Sequence, residues 1–210
     1  MTESAKIKNK QEVNSASDFS IMIKKEIFRK TIHISSAFVP YFYFFIPAVT
    51  MISMLLLTLG YFLSEIMRMN KIKIPIITEI TELASRNRDD GKIILGPVTL
   101  SLGVFLSLTL FDYRVAVIAI FALSFGDGVA SLYGKILRGV KIPFTSGKTV
   151  SGSMGCFLTL IFVFYSCGLS PKQSIILALF ATIVEVFPTG DFDNLLIPVA
   201  VGVFSRYFIL

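Results

Sequence analysis

The sequence predicts an all-α fold: a polytopic membrane helical bundle of about seven transmembrane helices with a cytoplasmic N-terminus. Hydrophobic residues make up 54% of the 210 residues, charged residues only 16%, and the mean hydropathy is +0.74. A soluble domain carries about a quarter charged residues. Long apolar runs also recur along the chain, and most polar residues lie between them. The bilayer is therefore the expected solvent of residues 21–210, which we interpret as one transmembrane domain.

Apolar runs near the ~20 residues needed to cross hydrocarbon predict the individual spans. They are Ile32–Phe45, Ala48–Met67, Ile93–Phe111, Val115–Ala130, Gly152–Gly168, Gln173–Phe187 and Leu195–Leu210. Pro40, Pro47, Gly126 and Gly128 are expected to kink or break helices where the freed backbone groups face protein or a water-filled cavity. Residues 1–20 are polar and lack the apolar core of a signal peptide. We expect them to form a flexible cytoplasmic tail.

The basic residues predict the orientation of these spans. Passing the chain through seven spans places about 17 of the 20 Lys and Arg residues on one face, and only Arg114, Lys172 and Arg206 on the other. The basic face is assigned to the cytoplasm by the positive-inside rule. The net charge of +6 is not interpreted as a nucleic-acid footprint, because the basic residues are divided among short segments. Cys156 and Cys167 lack CxxC spacing and are expected to be packing or lipid-facing residues.

Asp127 interrupts an apolar run, where an unpaired carboxylate is costly in hydrocarbon. The pattern predicts a partner for it, either a divalent cation or a neighbouring Lys or Arg. Ser124 and Ser131 fall on the same helical face. The structural alternative is a buried ion pair that holds two helices together.

Two stretches rich in glycine, lysine and hydroxyl residues follow Asp127. Glycines let backbone N–H groups approach phosphate, hydroxyls donate hydrogen bonds, and lysines neutralise charge. The candidate nucleotide-binding residues are Gly134, Lys135, Gly147, Lys148, Thr149, Ser151 and Ser153. This is not a Walker A motif, because Ile142 stands five residues before Gly147 where that motif has Gly. The alternative interpretation is a basic loop on an anionic leaflet.

Glu26, Arg29, Lys30 and His33 have the spacing of one helical face entering the membrane. This places two cations and the single histidine of the sequence near the headgroup level. The cations are also explained as positive-inside anchors. His33 lies beyond them, inside the apolar run, which favours a functional interpretation.

An acidic turn between the last two spans contains Glu185, Asp191, Asp193 and Asn194 and no basic residue. Because Mg²⁺ binds one or two carboxylates together with substrate phosphates, the turn predicts magnesium ligation. The candidate metal ligands are Asp127, Asp193, Asn194 and Glu185. The alternative is a solvated turn that connects two helices.

Two other charged features are expected to have supporting roles. Glu65 and Arg68 lie one turn apart at the end of the second span and are predicted to form an ion pair. The segment 86–92 has mixed charge, which is common in cytoplasmic loops.

These motifs together resemble the family of CTP-dependent lipid-alcohol kinases that includes dolichol kinase, phytol kinase and the CTP-dependent diacylglycerol kinase. The resemblance covers most of residues 25–205. It rests on Arg29-Lys30-x-x-His33, Ser64-Glu65-x-x-Arg68, Asp127-x-x-Ala130-x-x-x-Gly134-Lys135, Gly147-Lys148-Thr149-x-x-Gly152-Ser153, and Glu185-x-x-Pro188 leading to Asp193-Asn194. The family is distantly similar to CDP-diacylglycerol synthase, whose longer membrane region and terminal signature this sequence lacks. The sequence also lacks the extra spans of a typical dolichol kinase, so its size is closer to that of phytol-kinase-like members.

The resemblance implies CTP as the phosphoryl donor, Mg²⁺ as the metal and a membrane-dissolved alcohol as the acceptor. Phosphoryl transfer depends mostly on positioning and on neutralising charge. We expect phosphates to be bound by Lys135 and Lys148, Mg²⁺ by Asp127 and Asp193, and a phosphate or the acceptor hydroxyl by Arg29, Lys30 and His33. Asp127 is the residue expected to be essential, although the sequence does not identify a general base.

Two other functions stay open at this point. One is cytidylyl transfer from CTP to a lipid phosphate, in which the α-phosphorus is attacked and pyrophosphate leaves. The other is a transporter, with Asp127 and His33 along a permeation path; few ionisable groups lie towards the other face, which disfavours it. The expected partners are a nucleoside triphosphate, a lipid alcohol and membrane lipids, without nucleic acid. The choice among phytol, polyprenol, dolichol and diacylglycerol, and the oligomeric state, do not follow from the sequence.

Overall fold

The computed structural model describes residues 3–72, 74–85, 91–137, 139–145 and 147–209. Within these ranges the protein is helical, without a strand, which confirms the predicted all-α class. One isolated antiparallel bridge joins Lys141 to Thr149. The α-helices are α1 Glu3–Ser35, α2 Val39–Phe45, α3 Pro47–Met69, α4 Pro75–Ala84, α5 Gly96–Leu110, α6 Tyr113–Phe121, α7 Gly128–Leu137, α8 Val150–Ser166, α9 Pro171–Val186 and α10 Asp193–Phe204.

Shorter helical segments connect some of these helices. A 3₁₀ segment, Ser36–Phe38, joins α1 to α2, and a π-helical segment, Ala122–Asp127, makes α6 and α7 one continuous helical course. A second π-helical segment, Ser205–Ile209, follows α10.

The residues at the N-termini of several helices explain why these helices begin where they do. Proline occupies one of the first two positions of α3, α4, α5 and α9, where its missing N–H costs nothing. Asp112 caps α6 by accepting a hydrogen bond from the N–H of Val115, and Thr149 caps α8 by accepting from Gly152. Ser170 and Gln173 form a reciprocal capping box at α9.

The N-terminal half differs from the predicted spans. The first predicted span began at Ile32, whereas α1 continues through that residue to Ser35 before the chain changes to 3₁₀ geometry. Pro40 then lies in the first turn of α2, which tolerates it. Helix α4 was not predicted, because it has only ten residues and carries Glu79 and Glu82. The flexibility of residues 1–20 stays a prediction.

The helix ends fall into two groups. The connections α3–α5, α7–α8 and α9–α10 meet at one end, which we call the polar end; there Ile94 donates to Glu65, and Lys148 binds Glu185. At the other end Arg114 contacts the carbonyl of Gly168, and Arg206 that of Leu110. The three basic residues assigned by sequence to the minority face therefore belong to helix ends away from the polar end.

Two described helical courses are long and apolar enough to cross a membrane: Pro47–Met69 and Tyr113–Leu137. Their most apolar windows are 17% and 67% buried, respectively, so the first lies at the periphery and the second in the centre. Residues of α6, α8 and α9 form the core, including Ile118, Phe164 and Leu177. Seven spans and the membrane orientation of the N-terminus stay predictions.

Candidate active site

Asp127 is the last residue of the π-helical segment within the central helical course. Such segments are rare and are frequently found at functional sites. A Cβ on Gly128 would lie 2.9 Å from Ile34 Cγ1, and a Cβ on Gly126 would lie 3.1 Å from Leu160 Cδ1. The two glycines therefore allow α1 and α8 to pack closely on either side of Asp127, which brings the basic face of α1 to the carboxylate.

Asp127 begins a chain of buried polar contacts. Lys30 Nζ donates to Asp127 Oδ2 at 2.5 Å, and His33 Nε2 lies 3.1 Å from the same oxygen. His33 Nε2 also lies 3.0 Å from Asn194 Oδ1. Lys30 and Asp127 are only 2% and 7% exposed. The partner of Asp127 is thus Lys30 of α1, and the two residues form the buried ion pair between helices that was the alternative interpretation of Asp127. The pair also faces a cavity.

Glu26 organises the cations next to this pair. Its carboxylate accepts hydrogen bonds from Arg29, Lys135 and Ser131, which links α1 to α7. Burial raises the pKa of Glu26, but the charges of Arg29 and Lys135 and the hydrogen bonds from Lys135 and Ser131 outweigh this effect and lower the pKa to about 2. Glu26 is therefore ionised and holds two cations in place.

The α7–α8 connection reaches the same place because α7 and α8 pack closely. A Cβ on Gly152 would lie 2.6 Å from the carbonyl oxygen of Ala130, and one on Gly134 would lie 2.7 Å from Thr149 Oγ1. Gly147 has a φ of +94°, which favours glycine. The adjacent Lys148 binds both the carboxylate of Glu185, at 2.8 Å from Oε1, and its backbone carbonyl.

These elements enclose a cavity of about 310 Å³ at the polar end, which we call the polar cavity. It contains most of the predicted site residues, drawn from four separate parts of the sequence. Those lining it are Arg29, Lys30, Asp127, Gly134, Lys135, Gly147, Lys148, Thr149, Ser153, Glu185 and Asp193. Ser131, Thr145, Gly152, Pro188 and Gly190 also line it. Four cations and three carboxylates therefore face one space.

Two buried oxygen atoms of residues in this cavity lack a hydrogen-bond partner among the described residues: Ser153 Oγ and Glu185 Oε2. Unsatisfied buried groups of this kind are unfavourable unless a ligand or water binds them. No group of three or more His, Cys, Asp or Glu side chains in the described part of the chain is arranged to hold a metal ion on its own. The oxygen atoms of Asp127, Glu185 and Asp193 are nevertheless of the type that Mg²⁺ prefers.

Some predicted site residues lie elsewhere. Asn194, a candidate metal ligand, binds His33 through its Oδ1 and donates from Nδ2 to the carbonyl of Gly96 and to Thr99. Ser151 is absent from the lining of the polar cavity; its hydroxyl lies 3.2 Å from that of Thr149.

Glu65 and Arg68 form the predicted ion pair with two hydrogen bonds, and they also bind the backbone of Lys92 and Ile94. This pair therefore fixes the start of the segment that leads to α5. Residues 86–90, which belong to the mixed-charge segment, lie outside the described residues.

A second cavity, of about 180 Å³, lies between α1, α3, α4 and α5, and we call it the apolar cavity. His33 and Asn194 line it, together with Tyr61, Thr81 and several aliphatic side chains. Sequence reasoning did not identify Tyr61 or Thr81, because a single Tyr or Thr in an apolar helix carries no distinguishing signal. Arg29, Lys30 and Asp127 line both cavities and separate them.

Comparison with known proteins gives distant similarities. No family model matches, and no solved structure matches. An uncharacterized protein of Methanocaldococcus jannaschii is 29% identical over 67% of this chain and 72% of its own length. An uncharacterized protein of Rickettsia prowazekii is 27% identical over 87% of this chain and 92% of its own. A probable phytol kinase 1, chloroplastic, of Oryza sativa subsp. japonica is 24% identical over 58% of this chain, and the match covers 44% of the rice protein. The chain is thus distantly similar to a lipid kinase.

Proposed function

We propose that this chain is a multi-pass membrane enzyme that transfers the terminal phosphate of a nucleoside triphosphate, CTP, to the hydroxyl of a lipid alcohol. The observation that carries the proposal is the polar cavity, which Arg29, Lys30, Lys135 and Lys148 line together with carboxylates. The match to the rice phytol kinase supports the kinase chemistry. CTP as the donor rests on the family resemblance of the sequence motifs.

The membrane part of the proposal rests on exposed apolar surface. On α3, Leu56 is 63% exposed and Leu57 is 74% exposed; on α8, Phe162 is 71% exposed. Large contiguous apolar surfaces are rare on soluble monomers and are normal for proteins that face lipid. We place the polar end in the cytoplasm, because the connections at that end are rich in Lys and Arg, whereas the sequence assigns only Arg114, Lys172 and Arg206 to the other end.

In the proposed reaction the alcohol oxygen forms a bond to the terminal phosphorus, and the bond from that phosphorus to the bridging oxygen breaks. The nucleoside diphosphate leaves, and the hydroxyl proton is released. Lys135, Lys148 and Arg29 neutralise the charge of the phosphates, which is the main requirement of phosphoryl transfer. Glu26 holds Arg29 and Lys135 in position, and Glu185 holds Lys148.

Mg²⁺ fits the oxygen atoms of the polar cavity. Asp127, Glu185 and Asp193 would hold it, and the unsatisfied Oε2 of Glu185 is the observation that supports this fit. Mg²⁺ usually binds one or two carboxylates and keeps waters and phosphate oxygens as its other ligands, so a complete protein cage is not required. When bound, it would supply further charge neutralisation at the phosphates.

The decisive experiment supplies purified protein, lipid alcohols and CTP labelled at either the α- or the γ-position. We expect γ-label in a lipid product and α-label in CDP. Lipid carrying the α-label would indicate cytidylyl transfer instead. Label that stays in CTP or appears only as free phosphate, with every alcohol tested, would contradict the kinase proposal.

A further inference from the structure

The apolar cavity lies directly beside the site proposed for phosphoryl transfer. Its aliphatic lining comes from α1, α4, α5 and the segment before α5, including Ile32, Ile80, Ile94 and Leu100. Its volume of about 180 Å³ is smaller than that of the polar cavity, about 310 Å³. A cavity with aliphatic walls and a few polar groups suits an apolar ligand with one polar end.

The wall between the two cavities contains reactive groups. Asp127 and Lys30 line both spaces, and His33, which lies 3.1 Å from Asp127 Oδ2, lines only the apolar one. A polar group bound at this end of the apolar cavity therefore lies next to the phosphate-binding cations. This adjacency distinguishes the cavity from an ordinary packing defect between helices.

The cavity also contains a buried hydroxyl that lacks a partner. Thr81 is 3% exposed, and its Oγ1 has no hydrogen-bond partner among the described residues. By contrast, Thr78 accepts a hydrogen bond from Ile74, and Thr99 donates to backbone carbonyls. Leaving a buried hydroxyl unsatisfied is unfavourable, so Thr81 favours a ligand that carries a hydrogen-bonding group.

We propose that the apolar cavity binds the acceptor alcohol, with its hydroxyl end between Thr81 and the Lys30–Asp127 pair and its hydrocarbon against α4 and α5. This inference rests on the proposed kinase function and assigns α4 as the element that determines acceptor specificity. Thr81 binds the hydroxyl end, and Ala84 limits the space for the hydrocarbon. Both residues line the cavity, whereas Ile76, on the same helix, is 73% exposed and does not.

The test uses the full chain in lipid nanodiscs and a fifteen-carbon isoprenoid alcohol with a photoreactive diazirine near its hydroxyl end. A matched hydrocarbon without the hydroxyl is the control probe. After illumination, mass spectrometry locates the labelled residues. We expect alcohol-dependent labelling of residues 75–84 and 94–100. Alcohol-dependent labelling confined to other helices would overturn the proposal.

Three variants sharpen this test. Ala84→Phe fills the cavity and should reduce labelling of α4 and α5 at least tenfold, while Ile76→Phe should leave it unchanged. Thr81→Val removes the hydroxyl at nearly constant volume and should raise the KM for the alcohol about tenfold without changing the KM for CTP, because one hydrogen bond to the acceptor is lost. An unchanged acceptor KM would overturn the role of Thr81. If Ala84→Phe does not fold, labelling of the unsubstituted protein still decides the proposal.

The photolabelling does not depend on turnover, so the two proposals fail separately. Labelling at α4 and α5 without phosphoryl transfer would support this binding site and contradict the kinase function. Transfer with labelling elsewhere would support the kinase function and overturn the site.

Discussion

Lys30 donates a hydrogen bond from its ammonium group to Asp127 Oδ2 at 2.5 Å, across 97 residues of sequence. The pair joins α1 to the π-helical segment and lines both cavities. The contact shows that Asp127 forms an ion pair between helices, and the position of the pair on both cavities leaves the functional interpretation of Asp127 open. The two interpretations predict different results for paired substitutions.

Asp127→Asn leaves the ammonium of Lys30 buried without its carboxylate. Removing one partner of a buried ion pair costs about 3–5 kcal/mol, so we expect lower stability and loss of phosphoryl transfer. The double variant Lys30→Met with Asp127→Leu removes both charges and should recover most of the stability but no activity. Thermal unfolding and the γ-label assay measure the two effects. A double variant that recovers both stability and activity would reduce the pair to a structural role.

Lys148 is less buried, with a side chain 21% exposed, and in the proposed function it contacts the phosphates directly. Lys148→Ala should lower the transfer rate on the order of 100-fold, as does the loss of one donor to a developing charge. Lys148→Arg keeps the charge and should retain more activity. Lys172→Ala, at an exposed position away from the polar end, is the matched control and should behave as wild type. Equal activity of Lys148→Ala and Lys172→Ala would contradict the assignment of Lys148 to the phosphate-binding site.

The unsatisfied Oε2 of Glu185 leads to a prediction of how the activity depends on the Mg²⁺ concentration. If its Oε2 binds the metal, Glu185→Gln should raise the Mg²⁺ concentration for half-maximal activity by at least about tenfold, the size of effect seen when metal-site groups are changed. Chelation should abolish activity, and added Mg²⁺ should restore it. Asp191→Asn is the control, because Asp191 lines the apolar cavity and not the polar one. The same Mg²⁺ dependence in both variants would contradict the assignment of Glu185.

The sequence indicates the candidate site through residue types that are costly in an apolar chain. Asp127, Lys148 and Glu185 are conspicuous because charged side chains within or beside membrane spans need partners. Their convergence in one cavity also follows from alternating helices, since the connections α7–α8 and α9–α10 meet at the same end. Charge and helix order thus predict that these three charged residues gather at one end.

The remaining details depend on packing that the sequence pattern does not encode. Asn194 looks like a metal ligand beside Asp193, but its amide is bound to His33, Gly96 and Thr99. Gly103 makes this possible by letting α5 approach the backbone of Asn194. Helix α4 is short and bears acidic residues, so hydropathy does not detect it. These contacts arise only when distant helices meet.

The lowered pKa of Glu26 predicts how the free energy of unfolding depends on pH. Its pKa falls from 4.5 to about 2 in the folded protein, so its ionised form stabilises the fold above pH 4.5, and this contribution is lost as the pH falls towards 2. The difference in unfolding free energy between wild type and Glu26→Gln should be constant from pH 8 to 5 and shrink below 4.5. Unfolding in detergent at each pH measures this difference. A difference that already shrinks between pH 7 and 5 would mean that burial raises the pKa instead.

The predicted membrane orientation gives a test that does not depend on activity. Lys141 in the α7–α8 connection and Lys172 in the first turn of α9 are both exposed and lie at opposite ends of the bundle. In a background with Cys156 and Cys167 replaced by Ser, we expect Lys141→Cys to react with an impermeant maleimide only from the cytoplasmic side. Lys172→Cys should react only from the other side, because the positive-inside rule assigns the basic connections to the cytoplasm. Right-side-out and inverted vesicles supply the two sides. Labelling of both cysteines from one side would be incompatible with α8 crossing the bilayer, and would require a different arrangement of the bundle in the membrane.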